Sequence, residues 1–152
     1  MANPHSNRTE ALYLLCKVGP YTCAFPCEIV ERVQMAEQLG TLPSMPDFVR
    51  GFILHGGQPV PVIDLRRRFG LEPTSLTLRT RLVIVRLPNR PVAFLCDSAH
   101  EIRSLPTEIF TQPKTEELPA PLASFIEQVA PTSEGWLLIP SPARIVEHSE
   151  RS

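Results

Sequence analysis

Apolar segments in this chain are short, and almost every one is cut off by a proline, a glycine or a pair of them. The run at residues 12–18 stops at Gly19-Pro20, that at 82–87 stops at Pro88-Asn89-Arg90-Pro91, and Gly56-Gly57 separates the apolar residues on either side. A long amphipathic helix needs apolar residues at i, i+3, i+4 and i+7 over several turns without an internal proline. With 17 prolines among 152 residues, long helices cannot dominate. Short apolar runs at intervals of roughly 8 to 12 residues, with turn signals between them, predict an all-β barrel or sandwich with short helical pieces.

The expected elements follow from this punctuation. Residues 12–18 and 21–25 make a first hairpin. After Pro26, Ile29, Val30 and Val33, with Glu28, Glu31 and Arg32 outward, suit a single helical turn. Leu42-Pro43 and Met45-Pro46 force an extended path, and Asp47 is placed to cap a brief turn through Arg50. Residues 49–70, VRGFILHGGQPVPVIDLRRRFG, form a second hairpin in which Gly51 opens the apolar segment and Gly56-Gly57 supplies the positive φ of a tight turn. Pro59 and Pro61 withhold backbone donors, which predicts an edge or bulged strand, with Asp64 alone among apolar residues at its end. Residues 72–80 read as a polar loop between lobes. Residues 82–87 and 92–96 form another hairpin, a further strand and turn follow from Ile102 to Phe110, and strands at 125–129 and 136–139 precede a last turn or short helix at 141–147, with Pro142 near its start.

Composition bounds the function. The length suits one domain that folds without disulfides or metal. An apolar fraction of 43%, 20% charged residues and a formal net charge of −1 give no global attraction to nucleic acid or anionic membrane. The segment MANPHSNRTE lacks the parts of a secretory signal, and no apolar run approaches the roughly 20 residues of a membrane span, so a cytoplasmic location without membrane insertion is expected. Cys16, Cys23, Cys27 and Cys96 lie in apolar runs and read as buried reduced thiols; Phe25-Pro26 between Cys23 and Cys27 opposes the helix that would aim both at a metal.

Catalysis needs polar groups converging in a dry pocket, and no such set is visible. His5 and His148 sit in polar segments, His55 in a hairpin turn and His100 at a strand end, while Asp64 and Asp97 read as capping or turn residues. Gly51, Gly56 and Gly57 do not have phosphate-loop spacing. No enzyme activity and no cofactor are expected. Arg66-Arg67-Arg68 reads as a solvated strand end, and with Arg79 and Arg81 it frames one competing reading, a β-barrel nucleic-acid-binding module. A second competitor is an enzyme with one reactive cysteine.

Several motifs also carry a resemblance. Val49-Arg50-Gly51, the hairpin, and Pro61-Val62-Ile63-Asp64-Leu65-Arg66 with its basic, apolar and glycine ending resemble the signature of the CheW family of chemotaxis coupling proteins. LYLLCKVG, the step from Phe25-Pro26 to Val30, VIDLRRRFG, and RLVIV followed by VAFLCD occur in family order from about Leu12 to about Val146. The resemblance implies a single CheW-like domain at 10–148 with flexible tails at 1–9 and 149–152. It implies two small β-barrel lobes side by side, an apolar groove between them, and a boundary near 72–80. The implied function is that of a non-catalytic, monomeric adaptor, recruited to chemoreceptor clusters. It would dock on the cytoplasmic tip of a methyl-accepting chemoreceptor and meet the CheA histidine kinase or other CheW-like proteins.

By the same resemblance the receptor-facing residues are Cys27, Val30, Leu82, Val92, Ala99 and Ile102, and Gly51, Gly57 and Asp64 are structural turn positions. Family members commonly carry Asn-Leu-Arg-Gly where this chain has Leu54-His55-Gly56-Gly57, so the usual arginine is Gly56. They also commonly carry glutamate where this chain has Arg32. Arg32, Val33 and Gly56 would then lie on the kinase-facing surface, and the two departures imply retained receptor docking with weakened or altered kinase binding. The alternative is an ordinary coupling protein that links both.

Overall fold

The computed structural model describes residues 9–37, 39–41, 43–114 and 116–147; the expected tails apart from Thr9, together with His5, Leu42 and His148, lie outside the described residues. Strands β1 (Glu10–Val18) and β2 (Tyr21–Pro26) form the first hairpin, and a 3-10 turn at Cys27–Ile29 leads into β3 (Val30–Met35). β4 (Val49–His55) and β5 (Gln58–Asp64) form the second hairpin, followed by the one-turn helix α1 (Leu65–Arg68). β6 (Arg81–Arg86) and β7 (Pro91–Cys96) make the third, and β8 (Ser98–Pro106) ends in a 3-10 turn at Thr107–Ile109. A further 3-10 turn at Leu122–Phe125, β9 (Ile126–Thr132), β10 (Gly135–Pro140) and helix α2 (Pro142–Val146) complete the order.

The strands divide into two five-stranded sheets, β8-β1-β2-β10-β9 in the first lobe and β3-β6-β7-β5-β4 in the second. Each sheet curls towards closure through one extra pair just beyond an edge strand. Gly40, after β3, exchanges backbone hydrogen bonds of 3.0 and 2.9 Å with Phe52 of β4, and Thr111, after β8, exchanges two of 2.8 Å with Val129 of β9. Gly51 therefore stands inside a strand rather than at a turn: with φ +152°, it faces the Gly40 carbonyl, which a Cβ at Gly51 would approach to 2.2 Å. A side chain there would push the closing segment off the barrel.

Both faces of most strands are apolar, because each sheet covers two cores. On β1, Tyr13 and Leu15 point into the first lobe with Ala24, Ala130, Leu137 and Ile139, while Leu14, Cys16 and Val18 point into a core shared by both lobes. On β6, Leu82 and Ile84 fill the second lobe, and Val83 and Val85 join the shared core. Phe25 and Phe94 stack there at 5.7 Å and 18°.

The two lobes repeat one plan. The hairpins β1–β2 and β6–β7 occupy equivalent central places, β10 runs parallel to β2 as β5 does to β7, and one short helix follows each of β10 and β5. The edge strands β3 and β8 each carry a bulge, with Glu31 and His100 as the extra residues. The chain exchanges lobes twice, between β2 and β3 and between β7 and β8, so each lobe's central hairpin belongs to the other half of the sequence.

Five expectations are corrected. Val30 and Val33 belong to strand β3, not to a helical turn, because pairing with β6 overrides the local pattern and only Cys27–Ile29 is helical. β5 is internal rather than an edge strand. Its prolines are tolerated because Pro61 stands opposite Phe52, whose N–H and C=O both bond to Gly40 on the other side, and β7 pairs only with Val62–Asp64. The 72–80 segment does not separate the lobes, since it joins α1 to β6 within the second. Arg66-Arg67-Arg68 is helical, and the 3-10 turn takes Phe125 from the expected 125–129 strand.

Candidate functional site

One end of the second lobe gathers Arg32, Val33 and Gly56, the residues expected to face a kinase. Glu31, the bulge residue of β3, accepts a hydrogen bond from Arg86 Nε at 2.7 Å and meets His55 Nε2 at 3.2 Å. The Arg86 hydrogen bond, with help from His55, holds the Glu31 carboxyl below the usual carboxylate range. Because Arg32 adjoins Glu31 and Gly56 adjoins His55, this contact draws both to the same end of the barrel. Arg32 is exposed and has no carboxylate partner among the described residues. Gly56 and Gly57, at φ +60° and +81°, form the two-residue turn, and a Cβ at either position would meet nothing within 4 Å. Val33 stands exposed on β3 beside this end.

Met35 and Leu54 are exposed as well, Leu54 at 68%. The sequence reading missed them, although strand alternation was the available signal: Ile53 packs towards the second lobe's core, which turns Leu54 outward.

The six residues expected to receive a receptor do not share one surface. Cys27, Val30 and Ala99 are half-buried against the shared core at its rim, and Ile102 is 62% exposed. Leu82 and Val92, however, are fully buried, Leu82 inside the second lobe and Val92 in the shared core. β6 and β7 are internal strands covered on both faces, so neither side chain can touch a partner. Leu12 at 54% exposure is the residue overlooked: its neighbour Leu14 pairs with Ile102, which puts Leu12 and Ile102 on one side of the β1–β8 ladder. Cys27, Val30 and Ala99 at the rim, with Leu12 and Ile102 exposed beyond it, are the apolar residues that remain accessible.

The arginine run is structural in two of its three members. Asp64 caps α1, accepting from the Arg66 and Arg67 N–H groups at 3.0 and 3.5 Å, and pairs with Arg50 at 2.9 Å. Arg66 makes a bidentate pair with Asp97, both bonds 2.9 Å, while Asp97 also accepts the Gly19 N–H at 2.7 Å. Arg68 lies between Phe48 and Phe125, its guanidinium carbon 3.8 and 4.6 Å from the ring centroids, and donates to the Ile145 carbonyl at 2.8 Å and to that of Glu147. Only Arg67 is exposed.

A CheW-like domain model matches residues 12–150. The chain belongs to the CheW-like family. Among curated relatives, Protein FrzA of Myxococcus xanthus is 29% identical over 65% of this chain and 62% of its own length. Chemotaxis protein CheW of Klebsiella aerogenes is 28% identical over 52% of this chain and 48% of its own length. The alignments thus span about half to three fifths of these relatives. The crystal structure of scaffolding protein TtCheW from Thermoanaerobacter tengcongensis has the same fold, with a TM-score of 0.84 at 20% identity, covering 98% of this chain and 96% of that one.

The thiols of this CheW-like domain are placed for packing. Cys16, Cys23 and Cys96 are buried in the shared core. Desolvation pushes the Cys23 thiol well up, a hydrogen bond with Cys16 that favours the protonated thiol and then burial do the same for Cys96, and burial raises Cys27. Thiolate chemistry requires the opposite shift. Labelling of the native protein with a disulfide-exchange reagent is expected to modify Cys27 alone, and slowly, whereas the unfolded chain exposes all four cysteines. A fast-reacting native thiol would restore the cysteine-enzyme reading. No group of three His, Cys, Asp or Glu side chains among the described residues can hold a metal, and no helix there is long and apolar enough to cross a membrane.

Proposed function

We propose that this CheW-like chain is a non-catalytic adaptor that docks on the cytoplasmic signalling tip of a chemoreceptor and joins a chemosensory array with weakened or altered binding to a CheA-type kinase. The docking surface is the rim formed by Cys27, Val30 and Ala99 with Leu12 and Ile102 beyond it, apolar groups suited to the face of a receptor helix. The kinase refinement rests on one observation: Arg32 and Gly56, where the family commonly places a glutamate and an arginine, flank the same Glu31–His55 contact. Both charge changes therefore act on one surface. Recruitment to receptor clusters, and contact with other CheW-like proteins, belong to the same reading.

A specific feature favours the alternative, an ordinary coupling protein. Glu31 keeps a carboxylate beside Arg32, though Arg86 and His55 already engage it. Binding of the purified chain to the signalling tip of its cognate receptor and to the regulatory domain of its cognate kinase separates the two. The proposal expects tip binding that Ile102→Lys abolishes. It expects kinase binding that the double variant Arg32→Glu, Gly56→Arg strengthens at least about tenfold, worth roughly 1.4 kcal/mol. The open space around Gly56 accommodates the arginine, at a cost of about 1 kcal/mol for a left-handed non-glycine residue. Strong kinase binding by the unaltered chain, unchanged in the double variant, would make it an ordinary coupling protein. Failure to bind the tip would end the adaptor reading.

The nucleic-acid reading is weakened, because Arg66, Arg68 and Arg81 are engaged in intramolecular bonds, which leaves Arg67 and Arg79 of its five arginines.

A further inference from the structure

A groove of about 260 Å³ lies on the first lobe between the start of β2, β10 and the 116–121 segment. Its walls include the rings of Tyr21 and Trp136 together with Pro20 and Pro119, and Leu138 lies at its base, where it also belongs to the shared core. Trp136 is 49% exposed, and neither its indole N–H nor the Tyr21 hydroxyl has a hydrogen-bond partner among the described residues. Among the described residues Glu117 is the only charged one lining the groove, and there its carboxylate accepts only the Lys114 N–H, at 2.9 Å. An apolar slot lined by two aromatic residues, with two free donors and one acid, has a definite chemistry.

We propose that this groove binds a proline-rich segment in the polyproline II conformation that carries a lysine or arginine beside its prolines. Such a segment has no internal hydrogen bonds and leaves its carbonyls outward, as acceptors for the Trp136 N–H and the Tyr21 hydroxyl. Its rings pack against aromatic side chains at little entropic cost, because the conformation is already formed before binding. The Glu117 carboxylate meets the basic residue and sets the charge preference. An amphipathic helix does not fit, since it needs a run of anchors along a longer trough.

Trp136 is the single tryptophan of the chain, so its emission reports the groove directly. The probe is a short synthetic peptide with a Pro-x-x-Pro core and one lysine, and the control has alanine in place of every proline. The expected result is a saturable blue shift with the proline peptide and none with the control. Tyr21→Phe, which keeps the ring and removes only an unbonded hydroxyl, is expected to weaken binding about fivefold. Glu117→Gln is expected to weaken the lysine peptide about threefold and leave a lysine-free version unchanged. The proposal is overturned if emission and amide spectra show no saturable change, if the alanine control binds equally, or if Tyr21→Phe binds as the parent does.

Discussion

Phe94→Ala is expected to lower the unfolding free energy by about 4 kcal/mol, within the range for deleting a buried phenylalanine ring. Phe94 is fully buried at the centre of the shared core and stacks on Phe25, its counterpart in the other half of the chain. The deletion removes transfer free energy and leaves a cavity that strands of two lobes line, so neither lobe can close it alone. Phe94→Leu keeps most of the volume and should lose roughly half as much or less. Urea unfolding followed by circular dichroism and by Trp136 emission measures both. Because the core is shared, the two signals should move together in one transition. A loss below about 1 kcal/mol, or separate transitions for the two probes, would show that the lobes do not depend on this contact.

Arg68→Ala is expected to cost about 3 kcal/mol, a large effect for a side chain outside the apolar core. The estimate combines a cation lying between two rings with two charge-assisted hydrogen bonds to carbonyls at the end of α2. These contacts join α1 of the second lobe to α2 and Phe125 of the first, so the loss should also loosen the C-terminal helix. Arg68→Lys should recover only a minor part, because an ammonium cannot hold both carbonyls while lying flat between the rings. Thermal unfolding gives the stability, and amide exchange at Ile145 and Glu147 reports the helix. If the alanine variant stays within about 0.5 kcal/mol of the parent, Arg68 is a surface arginine and not a tie between lobes.

How far the sequence could be read depended on whether the deciding interaction was local. Hairpins at Gly19-Pro20, Gly56-Gly57 and Pro88 to Pro91 were legible because turn chemistry is set by neighbouring residues, and Ser141 with Pro142 marked the start of α2 in the same way. β3 was not legible: Val30, Val33 and their neighbours carry a helical spacing, and only the ladder with β6 makes them a strand. Pro59 and Pro61 misled for a similar reason, since the Gly40 pairing that excuses them comes from a residue far along the chain. At the candidate site, Arg32 and Gly56 could be singled out by departure from a family pattern, but the Glu31–His55 contact that joins them could not. Leu82 and Val92 were misassigned because an apolar residue looks the same in a sequence whether it lines a groove or fills a core.

The double exchange of strands between lobes has an evolutionary consequence. A crossover at 72–80 between the genes of two relatives would look like a clean join of two modules. It would in fact give a hybrid in which every sheet mixes both parents, because each half of the chain contributes its central hairpin to the opposite lobe. Only cuts at both crossings, between β2 and β3 and between β7 and β8, would move the second lobe whole, because it is the continuous run β3 to β7 while the first lobe is assembled from the pieces that flank it.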